Sequence, residues 1–404
     1  MTSLNLPTFI ATHVTGRAES LLAADLAAHR LSLQQRIEGA AVLVIGGAGT
    51  IGSSFIQALL PYRPGRLYVA DTNENGLTEL TRTLRSTHGL YVPSDYRPYP
   101  IDFGSPVFAK LLAQEGPFDI VANFAAHKHV RSEKDHYSIE AMIRNNAILA
   151  KGLLGQLAAS PPKHFFCVST DKAANPANVM GASKKLMEEV ILAYARQMPI
   201  STARFANVAF SNGSLPDGFL QRLMKRQPLS SPLDVRRYFV SPAEAGELCL
   251  LACILGQPGD IFFPKLEASE MKSFSDIGTA LLHELGYEPD YCASEDEARA
   301  KAALLGRDSK AWPVYYFPSD TSGEKLYEEF YTAEEQPDWG RFEALGVISG
   351  RPAYSLSEID ALFAGLERLF QSPRLDKEAV VELLQGMVPG FHHVEKGKGL
   401  DERM

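Results

Sequence analysis

Ala41-Val42-Leu43-Val44-Ile45 runs straight into Gly46-Gly47-Ala48-Gly49-Thr50-Ile51-Gly52, and this stretch decides the fold. The first five residues are apolar and rich in β-branched side chains, with no polar side to turn toward water. A strand covered on both faces of a parallel sheet has that texture. Glycines at 46, 49 and 52 follow at once, and a helix is predicted over Ser53–Leu60. A strand, a glycine turn and a helix start bring backbone N–H groups close to a pyrophosphate, an approach that Cβ atoms would block. Nineteen residues after Gly52, at the end of a second apolar run, stands Asp71. That distance suits a carboxylate accepting hydrogen bonds from the hydroxyls of an adenosine ribose. Thr72, Asn73 and Glu74 come next, with no arginine to hold a 2′-phosphate, so NAD is favoured over NADP. Asp102, just past the third strand, is placed to reach the adenine amino group.

The texture of Ala41–Ile45 recurs at Leu67–Ala70, Asp119–Asn123, His164–Ser169 and Ser201–Phe205, each time after enough chain for a helix. Strand alternating with helix predicts an α/β fold, a doubly wound parallel sheet with right-handed crossovers. Four regions are expected: a helical extension over 1–39, a Rossmann domain for NAD over 40–209, a smaller α+β substrate region over 210–340 and a helical extension over 341–404. Before the sheet, Ala18, Leu21, Leu22, Leu26, Leu31, Leu33 and Ile37 fall at helical spacings. In the tail, Leu362, Phe363, Leu366, Leu369 and Phe370 form one apolar stripe, and Val380, Leu383, Leu384 and Met387 another. Such stripes must pack on the chain's own substrate domain or on a neighbouring subunit. A homo-oligomer is the expectation, with Phe391–Leu400 read as a mobile end or a lid over the sugar.

The chain has 404 residues, 45% hydrophobic and 22% charged, with 40 Lys+Arg against 48 Asp+Glu and a net charge of −8. These values exclude a disordered chain, a collagen-like repeat and a disulfide-stapled miniprotein. A net-acidic chain without a basic block argues against a nucleic-acid partner. No apolar run approaches the roughly 18–20 residues of a membrane helix, and the start lacks the order of a secretory signal. The expectation is a cytoplasmic protein without membrane insertion. Cys167, Cys249, Cys253 and Cys292 form no CxxC pair and read as buried free thiols. His127 and His129 lack further ligands at metal-binding spacing, so no metal is expected.

Beyond the glycine turn the sequence resembles the extended short-chain dehydrogenase/reductases. Within them it is similar to the nucleotide-sugar 4,6-dehydratases of the capsule and flagellin-glycan type. The residues that carry the resemblance are Asp71-Thr72-Asn73-Glu74-Asn75, Ala125-Ala126-His127-Lys128-His129-Val130, Arg144-Asn145-Asn146 and Ser169-Thr170-Asp171-Lys172-Ala173. Asn178-Val179-Met180-Gly181-Ala182-Ser183-Lys184, Arg204-Phe205-Ala206-Asn207-Val208, Ser211-Asn212-Gly213-Ser214, Arg237-Tyr238-Phe239 and Ser322-Gly323-Glu324-Lys325-Leu326 extend it in family order. It covers about residues 40–335, leaving both ends of the chain outside the pattern.

The reaction that the resemblance implies has a physical logic. The C5 proton of a hexose is not acidic until C4 is a ketone. Oxidation at C4 with the hydride held on NAD, proton removal at C5, loss of the C6 hydroxyl as water, and return of the hydride to C6 with a proton to C5 give a 4-keto-6-deoxy sugar nucleotide. UDP-N-acetylglucosamine is the implied substrate, and surface polysaccharide or glycan biosynthesis the implied setting. By the same resemblance Thr170 hydrogen-bonds the C4 oxygen, Asp171 and Lys172 move protons at C6 and C5, and Lys184 holds the nicotinamide ribose. Lys184 and the oxidised nicotinamide are expected to lower the pKa of Lys172. Gly46, Gly49, Thr50, Ile51, Gly52, Asp71, Asp102 and Ala125 are the expected remainder of the cofactor site. The wider family carries a tyrosine four residues before the lysine; here Met180 stands there, which leaves the C4 proton to Asp171 or to a water held by Thr170. Lys128, Asn207, Ser211, Asn212 and Arg237, with Glu324 and Lys325 on the sugar side, are expected to bind the sugar nucleotide. A 4- or 5-epimerase on the same fold and a non-catalytic sugar-nucleotide binder are the alternatives.

Overall fold

A computed structural model describes residues 4–319, 327, 329–373 and 375–393. Its centre is a nine-stranded sheet. Six strands come from the first half of the chain: β1 (Ala41–Ile45), β2 (Arg66–Asp71), β3 (Asp95–Pro100), β4 (Ile120–Asn123), β5 (His164–Val168) and β6 (Ile200–Ala203). Across the sheet they lie in the order β3-β2-β1-β4-β5-β6, all parallel, and Asp260–Pro264 adds a seventh parallel strand beside β6. Leu345–Ser349 and Pro337–Asp338 close that edge antiparallel. The chain runs outward from β1 to β3 and then returns to the other side of β1. A crevice therefore opens at the carboxyl ends of β1 and β4, where Ile45 pairs with both Ala70 and Asn123.

The alternation of side chains explains the texture of β1. Val42 and Val44 point into one buried cluster with Ile56, Leu59, Val69, Leu77 and Leu251. Leu43 and Ile45 point into the opposite cluster with Phe108, Val121, Met142, Phe165 and Leu186. Both faces are dry because helices such as Thr50–Leu59 and Pro242–Leu255 cover one side and His136–Ile143 and Val179–Tyr194 the other. The strand β3, Asp95-Tyr96-Arg97-Pro98-Tyr99-Pro100, lacks this texture. It is an edge strand with a half-exposed burial pattern, a place where prolines are tolerated.

The boundaries expected at 209/210 and 340/341 do not separate packing units. Asp260–Pro264 and Leu345–Ser349 belong to the central sheet, so the chain leaves the sheet after β6 and comes back to it twice. The reason is edge coverage: Phe262, Phe263, Val347 and Ile348 extend the same buried cluster that Val42 and Val44 start. Outside the central sheet stands a three-stranded parallel sheet of Leu229–Pro232, Glu288–Tyr291 and Ala311–Phe317, with its own core around Phe219, Leu229, Leu281 and Trp312.

Both ends pack on the chain itself. Leu6–Phe9 runs into a π-helical turn, Ile10–Thr15, and Phe9, Ile10 and Val14 enter the core around Phe219 and Trp312. The helix Ala23–Ile37 then lays Leu33 and Ile37 on one face of the sheet, while Ala18 and Leu21, expected in a helix, lie in the connection before it. Arg17 fixes the connection: Nε and Nη2 donate to the two carboxylate oxygens of Glu244 at 2.9 and 3.0 Å, and Nη1 donates to Glu270 at 3.0 Å. At the other end, Leu356–Phe370 and Lys377–Met387 bury Ile359, Phe363, Leu366, Val380, Leu384 and Met387 against the second face of the sheet's helices. Of the two destinations expected for the stripes, the chain itself takes most of them, on the helices of the sheet more than on the region after β6, and Leu31 is the one leucine of the amino-terminal set left strongly exposed. Residues 394–400 of the expected lid lie outside the described residues. Three cysteines are buried as free thiols, whereas Cys292 is only half-buried.

The packing of the amino-terminal helix is testable by contrast within it. Leu33 is fully buried and Leu31 is 78% exposed. Leu33→Ala should cost about 2–5 kcal/mol in urea unfolding, and Leu31→Ala should stay within about 0.5 kcal/mol.

Candidate active site

The glycine turn is shaped by close contact. Gly46 has φ +73°, and a Cβ there would lie 2.5 Å from the Ala125 nitrogen, so the turn is pressed against the end of β4. Gly52 lies so close to Gly46 that a Cβ would overlap its carbonyl oxygen. The helix Thr50–Leu59 starts immediately behind, with Gly49 as its N-cap and no side chain satisfying its first N–H groups. Those N–H groups can meet a pyrophosphate. Asp71 organises the same turn: Oδ2 accepts from Ala48 N and Oδ1 from Asn73 N, both at 2.9 Å. A carboxylate has about four acceptor positions, which leaves capacity for ribose hydroxyls. Asp102 holds its own loop through Gly104 N at 2.8 Å.

A cleft of about 700 Å³ runs from Asp71 and Asp102 over the glycine turn to the ends of β4 and β5. Every expected cofactor residue lines it: Gly46, Gly49, Thr50, Ile51, Gly52, Asp71, Asp102, Ala125 and Lys184. Thr170, Lys172 and Met180 line it too, together with Lys128, Asn207, Ser211 and Asn212 from the expected substrate set. Asp171 is not a lining residue. It lies buried behind Thr170 and Lys172, and its Oδ1 accepts from Thr170 Oγ1 at 2.8 Å, from Lys172 N at 2.9 Å and from Lys172 Nζ at 3.0 Å. The charge beside Lys172 is therefore a carboxylate, where the sequence reading places like charge. Arg237 does not line the cleft either; it is buried in the short strand Arg236–Arg237, with Nη1 donating to the Arg236 carbonyl at 2.9 Å. Glu324 and Lys325 lie outside the described residues.

Met180 and Lys184 stand one turn apart at the start of Val179–Tyr194, whose N-cap Asn178 accepts from Gly181 N at 2.8 Å. Lys184 is buried, donates to the Val168 carbonyl at 3.1 Å, and has its pKa lowered chiefly by burial. Burial also pushes the Cys167 thiol up to about 11. Opposite, Asn146 clamps the His127 peptide, accepting from its N–H at 2.8 Å and donating to its carbonyl at 2.9 Å, and also donates to Ser183 Oγ at 3.0 Å. A π-helical turn over Arg144–Ile148 places Asn146 there. The role of Asn146 had no sequence signal beyond its place in the Arg144-Asn145-Asn146 match. The loop Ser211–Ser214 crosses the cleft: Asn212 N donates to Thr50 Oγ1 at 2.9 Å, and Lys128 Nζ donates to the Asn212 carbonyl at 2.7 Å.

Behind that loop a second chamber of about 630 Å³ opens, sharing Lys128, His129 and Ser214 with the first. Arg131, Lys134 and Arg222 line it with Lys128, against one carboxylate, Asp217. Burial lowers the pKa of Lys128 against the opposing pull of Asp217, and burial with Arg131 lowers that of Arg222. Ser230 and Ser231 line the same chamber, and their buried hydroxyls are the side-chain polar atoms without a hydrogen-bond partner among the described residues. These five residues escaped the sequence reading because they come together only from three separate elements.

Sheet order, glycine turn and cleft define a dinucleotide-binding protein of the extended short-chain dehydrogenase/reductase class. A family model described as polysaccharide biosynthesis protein matches residues 42–349, and the chain belongs to that family. It is 31% identical to an uncharacterised membrane protein of Methanocaldococcus jannaschii, over 76% of this chain and 85% of that one. It is 26% identical to the probable polysaccharide biosynthesis protein EpsC of Bacillus subtilis over 81% of this chain, and spans only 52% of that protein's length. A UDP-N-acetylglucosamine 4,6-dehydratase (inverting) of Campylobacter jejuni is 25% identical over 59% of this chain and 70% of its own. Among solved structures, a dTDP-glucose 4,6-dehydratase double mutant from Streptomyces venezuelae superposes with a TM-score of 0.56 at 20% identity, over 79% of this chain and 94% of that one. No helix among the described residues is long and apolar enough to cross a membrane.

The electrostatics of the cleft can be read by titration. Burial lowers the pKa of His127, helped by Lys184; burial lowers that of His129, helped by Lys128 and Arg131. Both imidazoles should remain neutral below the ordinary value of about 6.5 when followed by NMR. Since the unfolded chain binds these protons first, stability should fall as pH drops below that value.

Proposed function

We propose that the protein is an NAD-dependent nucleotide-sugar 4,6-dehydratase acting on UDP-N-acetylglucosamine, in the synthesis of a surface polysaccharide or glycan. The observation that carries this reading is the Thr170–Asp171–Lys172 cluster at the carboxyl end of β5, with two of its side chains on the cleft. The residues around the glycine turn fit NAD: a helix start for the pyrophosphate, and Asp71 for the ribose with no cation beside it for a 2′-phosphate. When bound, NAD supplies oxidation at C4 and reduction at C6. Thr170 presents a hydroxyl to the C4 oxygen. Lys172 takes the C5 proton and returns one to C5 as the hydride reaches C6, and Asp171, which meets the cleft through the Thr170 and Lys172 groups bonded to it, supplies the proton for the departing C6 hydroxyl. Met180 cannot exchange protons, so C4 deprotonation falls to the Thr170–Asp171 pair through Oγ1. Lys184 holds the nicotinamide ribose, and its buried charge favours electron density moving onto the ring.

The second chamber suits the rest of the substrate. Its four cations match a diphosphate, and the two unpartnered serine hydroxyls offer hydrogen bonds to a base edge. The Campylobacter relative supports the choice of sugar and the polysaccharide family supports the setting.

Incubation with UDP-N-acetylglucosamine should yield a product lighter by one water with no net change in added NAD. A product of unchanged mass that carries solvent deuterium at C5 would make the protein a 5-epimerase, one inverted at C4 without it would make it a 4-epimerase, and binding without exchange or conversion would make it a non-catalytic binder. Asp171→Asn and Lys172→Ala should each lower turnover by about 10²-fold, while Met180→Leu should be far milder. Gently purified protein should release NAD on denaturation; NADP in its place would remove the role given to Asp71.

A further inference from the structure

Glu133 stands between the reacting region and a part of the chain that the family pattern does not include. It follows the short turn Val130–Ser132, and its side chain is 7% exposed. One oxygen, Oε2, accepts from Val179 N at 2.7 Å. Val179 is the first residue of the helix that carries Met180 and Lys184 onto the cleft. The other oxygen, Oε1, meets His393 Nε2 at 2.5 Å and lies 3.9 Å from Lys377 Nζ. A further backbone bond, His392 N to the Pro176 carbonyl at 3.3 Å, ties the same tail segment to the loop before that helix. Lys377, His392 and His393 all lie past residue 349, where the family match stops.

The first N–H groups of a helix lack intrahelical partners, and a carboxylate there satisfies one and meets the positive end of the helix dipole. Here the work is divided: Asn178 takes the Gly181 N–H and Glu133 takes that of Val179. Glu133 is itself not part of the helix, so something must hold it in place. His393 does so from one side, and apolar packing brings His393 there, because Val380, Leu384, Met387, Val388 and Phe391 share a buried cluster with Val179 and Met180. The carboxyl-terminal extension thus reaches the start of the catalytic helix through one carboxylate, although none of its described residues lines the cleft.

We propose that Glu133 is a positioning residue: it sets the first turn of the helix bearing Met180 and Lys184, and His393 of the carboxyl-terminal extension holds it there. The kinetic part of this proposal rests on the dehydratase reading; the structural part does not.

The test uses the full chain, loaded with NAD, as wild type and as Glu133→Ala, Glu133→Gln and His393→Ala. Amide hydrogen exchange over residues 179–184 and the separate values of kcat and KM for UDP-N-acetylglucosamine are measured. Glu133→Ala should speed exchange in that segment by about tenfold or more and lower kcat by about tenfold, with KM nearly unchanged. Glu133→Gln keeps an oxygen for the Val179 N–H and should recover most of both. His393→Ala should move both readouts in the same direction by less, and it serves if Glu133→Ala does not fold. Unchanged exchange in Glu133→Ala and His393→Ala overturns the proposal, as does a Glu133→Gln variant no better than Glu133→Ala. If the wild type turns over no sugar nucleotide, the dehydratase reading fails by itself and the exchange measurement still decides.

Discussion

All five N–H donors of Arg204 are spent inside the protein, and the site depends on where they point. Nε and Nη2 bind the two oxygens of Glu188 at 2.9 and 2.8 Å. Nη1 and Nη2 bind those of Glu335 at 2.7 and 2.8 Å, and Nη1 also meets the Phe330 carbonyl at 2.9 Å. Arg204 and Glu188 are fully buried, and removing either partner would strand a charge at a cost of about 3–5 kcal/mol. The pair holds Arg204 strongly protonated and Glu188 below its ordinary carboxylate range, against burial that works the other way on each. Glu188 also accepts from Ser169 Oγ at 2.6 Å. Ser169 directly precedes Thr170, so the ion pair fixes the end of β5 from which the reacting cluster grows. Glu335 brings in the returning chain just before the edge strands, so one guanidinium joins β6, the Lys184 helix and the sheet's outer edge.

Around this anchor the cleft mixes apolar walls with a small set of fixed polar groups. The helix Val179–Tyr194 is buried along nearly its whole length, so Lys184 gains little from water and is held by the Val168 carbonyl and the fields around it. Its charge adds to burial in lowering the pKa of His127, while Lys128 and Arg131 add to burial in lowering that of His129. The loop Ser211–Ser214 separates the dinucleotide cleft from the second chamber, and Lys128 touches both sides of it.

The two ends of the chain are part of the same packing. Asp25, near the start, accepts from Glu343 N and Ala344 N at 2.7 and 2.8 Å, beside the edge strand Leu345–Ser349. Arg17 ties the amino-terminal connection to Glu244 at the capped start of Pro242–Leu255, and the tail helices cover the face opposite.

The local code was readable without coordinates. A five-residue apolar strand, glycines at fixed spacing and Asp71 nineteen residues on are short-range features, each fixed by backbone geometry within one βα unit. They pointed to the parallel sheet and the dinucleotide cleft, and the family resemblance supplied Thr170, Met180 and Lys184, which line that cleft. The edge strand β3 was legible only as the strand before Asp102 and lacked the apolar texture, because an edge tolerates polar and proline residues, and the returning strand Asp260–Pro264 was not readable, because the return depends on what packs beside β6. Tertiary structure alone decided that Asp171 lies behind its neighbours, that Arg237 is turned away from the cleft and that Arg131, Lys134 and Arg222 converge with Lys128. It also decided where the terminal stripes go. An apolar stripe states that a face must be covered, and only the assembled chain, which brings residues more than two hundred positions apart into contact, states by what.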